Sequence, residues 1–142
     1  MVKAKTYSFI TEVPLVVDSF LERKLEARFQ AARQLYNACL NEALRRLERV
    51  RKSRPYLTAK ALSRTKKKER RELFKQARDD AQFSEYSFHS FATVTALASK
   101  WIAKNVDSNT QQRLASRAFQ AAEKILFGVS TKVRFKVSSR FR

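Results

Sequence analysis

Between Arg45 and Arg71 the chain carries thirteen lysines and arginines against two acids, Glu48 and Glu69. Ammonium and guanidinium groups at that density cannot sit in a core, because each unpaired charge taken out of water costs several kcal/mol. They must lie on a surface, where they build a positive potential suited to a polyanion. Three clusters carry the charge. Arg45, Arg46, Arg49, Arg51, Lys52 and Arg54 form the first, with positions 45, 49 and 52 on one helical face. Arg64, Lys66, Lys67, Lys68, Arg70 and Arg71 form the second. Lys132, Arg134, Lys136, Arg140 and Arg142 form the third, with no acid among them. Such groups grip phosphates and bring salt-dependent affinity, while arginine also reads guanine edges. The chain agrees as a whole: 31 basic against 13 acidic residues give a formal charge of +18. Nucleic acid is the expected partner.

Two further groups of residues suit the same ligand. The segment Ser108-Asn109-Thr110-Gln111-Gln112 opens a helix with amides and hydroxyls, so Asn109, Thr110 and Gln112 are candidates for phosphates or base edges, with simple capping as the equal alternative. Most of the eleven Phe, the four Tyr and Trp101 fall on apolar faces. Tyr36 and Tyr56 stand beside polar or basic neighbours and are the candidates for contact with a base, together with Asn37, which is expected to face away from the core.

Catalytic constellations are hard to assemble from this composition. The lone His89, between Phe88 and Phe91, reads as a packing or hydrogen-bonding group rather than a general base. A phosphate-cradling loop needs several glycines, and Gly128 is alone. Asp79-Asp80 is the one adjacent acidic pair; neighbours on a helix diverge by about 100°, so these carboxylates are expected to balance Lys75 and Arg78 rather than hold a metal. Cys39 and His89 are too few for zinc, so no cofactor is expected in this chain. The single cysteine, the missing apolar span and an N-terminus without a signal-peptide core lead to an expectation of a cytoplasmic protein off the membrane.

The elements that must position these residues are mainly helical. One glycine and two prolines in 142 residues leave long stretches uninterrupted. Ser19 with Glu22 reads as a capping box. Behind it Leu21, Leu25, Phe29, Ala32, Tyr36, Cys39, Ala43, Leu47 and Val50 form a 3.6-residue stripe, predicting a helix to about residue 52. A weaker helical pattern follows at Leu62, Leu73, Phe74 and Ala77. Ser87 is expected to cap a third helix running to Lys104, and Ser108 with Gln111 to open a fourth along Leu114, Ala118, Ala121 and Ile125, ended by Gly128. Residues 3–12 are β-branched and aromatic, and Val133, Phe135 and Val137 alternate with Lys132, Arg134 and Lys136; both read as strands. The expected architecture is a bundle of about four helices (17–128), flanked by strands of an unfinished barrel in 1–16 and 129–142.

In that order the segments resemble the N-terminal third of TnpB, the OrfB-type protein of bacterial insertion sequences, an RNA-guided nuclease akin to type V CRISPR effectors. Ala32-Arg33-Gln34-Leu35-Tyr36-Asn37-Ala38-Cys39-Leu40 is similar to the family's Arg-x-x-Tyr-Asn segment. Gln111-Gln112-Arg113-Leu114-Ala115-Ser116-Arg117-Ala118-Phe119 resembles its Gln-Gln-x-Leu-x-x-x-x-Ala-Phe helix. Val133-Arg134-Phe135-Lys136 resembles its Pro-Arg-Phe-Lys strand, with valine in place of proline, and residues 53–86 have no counterpart. The resemblance implies a helical recognition lobe set into a wedge-like β-barrel, binding guide RNA and target DNA beside a short adjacent motif, in a bacterial cytoplasm and on the nucleoid when bound. The family's nuclease domain and zinc ribbon, which need a divalent metal and zinc, lie outside the matched segments. The expectation is therefore a recognition module that does not cleave alone. The alternatives are a stand-alone RNA- or DNA-binding structural protein, such as a ribosome-associated factor, and one half of a split endonuclease completed by a C-terminal nuclease polypeptide.

Overall fold

The computed structural model describes residues 8–138, which form six helices joined by short connections: α1 (Ser19–Lys52), α2 (Arg54–Ala61), α3 (Lys67–Asp80), α4 (Glu85–Ala98), α5 (Lys100–Asn105) and α6 (Ser108–Leu126). Short capping side chains set the boundaries. Asp18, rather than Ser19, accepts the N–H groups of Phe20 and Leu21 and starts α1. Ser53 serves two helices: its hydroxyl donates to the Val50 carbonyl that ends α1 and accepts the Tyr56 N–H that opens α2. Pro55 falls in the first turn of α2, where its missing N–H is no loss. Ser84, not Ser87, caps α4, and the expected third helix divides at Ser99, which closes α4 and caps α5. Asp107 caps α6 by accepting the Thr110 N–H and hydroxyl, and these two bonds hold its carboxyl below the usual carboxylate range. At the far end Gly128 adopts φ 72°, and its N–H and that of Val129 satisfy the Ile125 and Lys124 carbonyls.

The core lies where α1 crosses α6 and α4. Ala31, Ala43, Ala92, Ala96, Ala115, Ala118 and Ala122 are all buried, and such small side chains let helix axes come close. Leu35, Leu40, Val50, Phe83, Phe88 and Phe119 fill the spaces between. The three phenylalanine rings pack edge-on or tilted against one another with centroids 5.1–6.0 Å apart. Arg46 is buried among them: its Nε reaches Glu42 at 2.8 Å, one Nη donates to the Gln82 carbonyl at 2.8 Å, and the guanidinium lies 4.7 Å from the Phe88 centroid. Cys39 is fully buried, and loss of solvation pushes its thiol up to about 12 despite the nearby Arg46 charge.

Two expectations are corrected by this arrangement. The stripe of α1 is continuous in sequence, yet only its half from Ala31 onward is buried; Leu21 and Phe29 stay exposed because no other helix among the described residues packs over the first turns. Nor do strands flank the helices. Among the described residues none belongs to a sheet, so the strands of an unfinished barrel are not formed. Residues 8–12 and 131–137 lie in irregular segments, exposed except for half-buried Val133, while residues 3–7 of the expected first strand are outside the described range. A strand needs a neighbouring backbone to complete its ladder. Here the partner of the C-terminal segment is a helix side chain: Asn37 exchanges two 2.8 Å hydrogen bonds with the backbone of Lys136.

Candidate nucleic-acid interface

A groove of about 1210 Å³ opens between the first half of α1, one face of α6 and the extended segment from Ser130 to Ser138, with Leu15 and Val17 at its edge. Leu25, Phe29, Ala32, Leu114, Ala121 and Val133 supply apolar walls, and Tyr36 joins them half-buried. Arg33, Arg117, Lys124, Lys132, Arg134 and Lys136 line the same groove, against the carboxylates Glu22 and Glu26. Among the described residues no carboxylate forms an ion pair with any of these six cations. The segment is fastened to α1 at two points one heptad apart. Asn37 holds Lys136, and the Gln30 amide donates to the Ser138 hydroxyl at 3.1 Å. Gln30 also accepts from Arg33, which aims that guanidinium.

Of the residues singled out in the sequence, the groove brings together Tyr36, Lys132, Arg134 and Lys136. Asn37 sits beside it with both polar ends of its amide engaged by Lys136. Arg140 lies outside the described residues. Sequence reading passed over Arg33, Arg117 and Lys124, since each is an isolated charge on an otherwise mixed helix. A signal for two of them exists: Arg117 and Lys124 stand seven residues apart, in phase with Leu114 and Ala121 on α6.

The first two basic clusters belong to a different part of the molecule, the end of α1 and the α2–α3 hairpin. Their residues are unequal. Arg45 and Arg49, both exposed, lie 3.5 and 3.7 Å from the largely covered Glu42, and Lys52 binds Glu48 at 2.6 Å, which holds that carboxyl below its usual range. Arg46 and Arg51 are structural: the former is buried, the latter donates to the Ile125 carbonyl of α6. Arg70 is also engaged, donating to the Ala59 carbonyl across the hairpin at 3.0 Å. Tyr56 packs edge-on against Phe74 at 5.4 Å, so its ring fastens the hairpin. Lys66 meets Glu69 at 3.3 Å. Arg54, Lys60, Arg64, Lys67, Lys68, Arg71 and Lys75 remain exposed on the hairpin and without a carboxylate partner among the described residues. Asp79 and Asp80 do not balance Arg78, which instead pairs with Glu123 of α6 at 2.8 Å.

A second, smaller concavity collects His89, Asn109, Thr110, Gln112, Arg113 and Ser116. His89 Nε2 and the Ser116 hydroxyl lie 2.8 Å apart, tying α4 to α6. Thr110 spends its hydroxyl on the Asp107 cap, while Asn109 and Gln112 are exposed. Among the described residues no three His, Cys, Asp or Glu side chains gather closely enough to hold a metal ion, and no helix is long and apolar enough to cross a membrane.

No family model matches the chain, and no curated protein or solved structure matches it at significant similarity.

Proposed function

We propose that the chain is a nucleic-acid-binding recognition module, with the groove and the α2–α3 hairpin as its two contact surfaces. The observation that carries this reading is the row of six groove cations, drawn from α1, α6 and the C-terminal segment, with no carboxylate among the described residues paired to any of them. Like charges gathered from three elements repel one another, and a phosphate backbone relieves that repulsion while releasing its own counterions. The apolar walls and Tyr36 add faces on which unstacked bases can lie. In its finer form the reading is that of a TnpB-like module holding guide RNA and target DNA through backbone and shape, with cleavage left to residues outside this stretch. Its support is the resemblance of residues 32–40 and 111–119, whose helices α1 and α6 frame the groove.

The test is a set of titrations against structured RNA, duplex DNA and single strands at several salt concentrations. Each phosphate contact contributes a slope of about −0.9 in log K against log[salt] on duplex DNA and about −0.7 on single strands. Changing Lys132, Arg134 and Lys136 together to Gln flattens the slope by about one to three units, and changing Lys66, Lys67 and Lys68 does the same if the hairpin is a second contact surface. Affinity independent of salt, or both triple variants binding like the parent, overturns the reading.

A second reading is favoured by one observation. Phe9, Ile10, Val13, Leu15 and Val16 are each at least three-quarters exposed, beside exposed Val129 and Val137. Apolar surface of that extent suits a companion polypeptide, as in one half of a split endonuclease. Tight binding of nucleic acid that requires no second protein counts against it.

A further inference from the structure

The charges of α3 are sorted by face. At about 100° per residue, Lys67, Lys68, Arg71, Lys75 and Arg78 fall in one sector about 100° wide, and Glu69, Glu72, Asp79 and Asp80 fall in another. Arg70, Leu73, Phe74 and Ala77 take the inward sector, with Arg70 spent on the Ala59 carbonyl. Lys67, Lys68, Arg71 and Lys75 are exposed and, among the described residues, have no carboxylate partner. Arg78, at the root of the same sector, crosses to α6 and binds Glu123 at 2.8 Å. The next residue, Lys124, lines the groove. The two positive surfaces therefore meet at one end of α6. Phe127 stands at that joint, 64% exposed, one helical turn past Glu123 and with its ring centroid 5.9 Å from the Arg78 guanidinium.

We infer that this joint receives the junction between a base-paired RNA stem and its unpaired tail, an inference that rests on reading both surfaces as nucleic-acid contacts. The stem lies along the α3 stripe, the tail enters the groove, and the last base pair rests against Phe127. The two surfaces differ in shape and chemistry. From Lys67 to Lys75 the stripe runs about 12 Å along a convex helix, three to four steps of about 3.4 Å along a duplex axis. The acidic sector beside it repels phosphate and so fixes which side of α3 the stem takes. The groove is concave, with apolar walls between its cations. A duplex, whose major groove alone is about 12 Å wide in the B form, does not enter a cleft between helices packed about 8–10 Å apart, whereas one strand with splayed bases does. Glu22 and Glu26, exposed in the same groove, are wasted on phosphate but accept hydrogen bonds from ribose 2′-hydroxyls, donors that DNA lacks. A stem end presents the flat face of its last base pair, which an exposed aromatic ring covers.

The test uses the full chain and a set of RNA probes at fixed salt: a blunt stem-loop, the same stem-loop with an unpaired tail at either end, and the tail alone. One tailed stem-loop is expected to bind at least about tenfold tighter than the blunt stem or the tail, because its joined parts act at high effective concentration. Changing Lys67, Arg71 and Lys75 together to Gln is expected to weaken the blunt stem more than the tail. Changing Lys132, Arg134 and Lys136 together to Gln is expected to weaken the tail more than the blunt stem. Phe127→Ala is expected to remove most of the advantage of the tailed probe. Circular dichroism on each variant separates lost binding from lost folding; a misfolded Phe127→Ala leaves the two triple variants to decide. Failure to bind any probe overturns both this inference and the reading it rests on. Three outcomes overturn the inference alone: equal binding of tailed and blunt stems, both triple variants weakening stem and tail in the same proportion, or a DNA version of the tailed probe binding as tightly.

Discussion

The side-chain amide of Asn37 does for Lys136 what a neighbouring strand would do. Its Nδ2 donates to the Lys136 carbonyl and its Oδ1 accepts the Lys136 N–H, each at 2.8 Å, across 99 residues of sequence. A helix thereby holds an extended segment at one residue by the same donor–acceptor pair that a ladder would use. The consequence reaches the groove, since Lys132, Arg134 and Lys136 line it only while this segment stays against α1.

Asn37→Ala should release that segment while leaving the helices folded. Two exposed hydrogen bonds of about 0.5–1.5 kcal/mol each are lost, so the local opening free energy falls by about 1–3 kcal/mol with little change in thermal midpoint. Limited trypsin digestion should cut after Lys132, Arg134 or Lys136 about tenfold faster in the variant, and nucleic-acid affinity should fall. Unchanged digestion would mean that Gln30 with Ser138 and the packing of Val133 hold the segment without Asn37.

Arg46→Ala should cost about 2–4 kcal/mol, because it leaves the Gln82 carbonyl without its donor, takes from Glu42 its closest cation, and removes the guanidinium from the Phe88 face. Arg46→Met keeps an unbranched stem against the rings and should cost less. Urea denaturation of the two variants distinguishes these roles. If Met is as damaging as Ala, the hydrogen bonds carry the effect; if both are mild, Arg46 contributes little.

Gln82 is the one non-glycine residue with positive φ among the described residues, at 52°. Left-handed backbone costs an ordinary side chain about 1 kcal/mol, while glycine adopts it freely at some expense in unfolded-state entropy. Gln82→Gly should therefore be neutral or stabilising by up to about 1 kcal/mol, and Gln82→Val should destabilise by more than that. A clear loss of stability in Gln82→Gly would show that the side chain matters more than the turn.

Burial holds the Cys39 thiol at about 12, above its ordinary value of 9.0. A raised folded-state value means that folding favours the neutral thiol, so this contribution is fully present below pH 9 and is lost as pH climbs toward 12. By linkage the loss reaches up to about 4 kcal/mol at the top of that range. Lysines and tyrosines titrate there as well, so the informative quantity is the difference from Cys39→Ala. The gap between the two proteins should narrow as pH rises from 8 to 11; a constant gap would place the thiol value near its ordinary one.

Much of the fold was legible because helical signals are local. The long α1 and the glycine terminus of α6 follow from apolar spacing and from φ requirements settled within a few residues. Caps were displaced by a residue or a few, as at Asp18 and Ser84, because several short polar side chains stood within reach of the same N–H groups. The charge clusters were equally plain, and so was their surface location, with buried Arg46 the exception that its neighbours Glu42 and Phe88 permit.

What tertiary structure alone decided was partnership. Alternation at Val133, Phe135 and Val137 describes a segment able to join a sheet, but a ladder also needs a second backbone, and alternation says nothing of where one lies. Packing put the Asn37 amide there instead. In the same way Arg33, Arg117 and Lys124 are unremarkable as isolated charges. They line one groove with Lys132 and Arg134 only because buried alanines let α1 and α6 approach closely and because Asn37 ties the last segment across them. Composition determined that this protein carries a strong positive field, since net charge is additive along the chain. Where that field concentrates is a matter of distance, and distance is set by the packing of remote side chains.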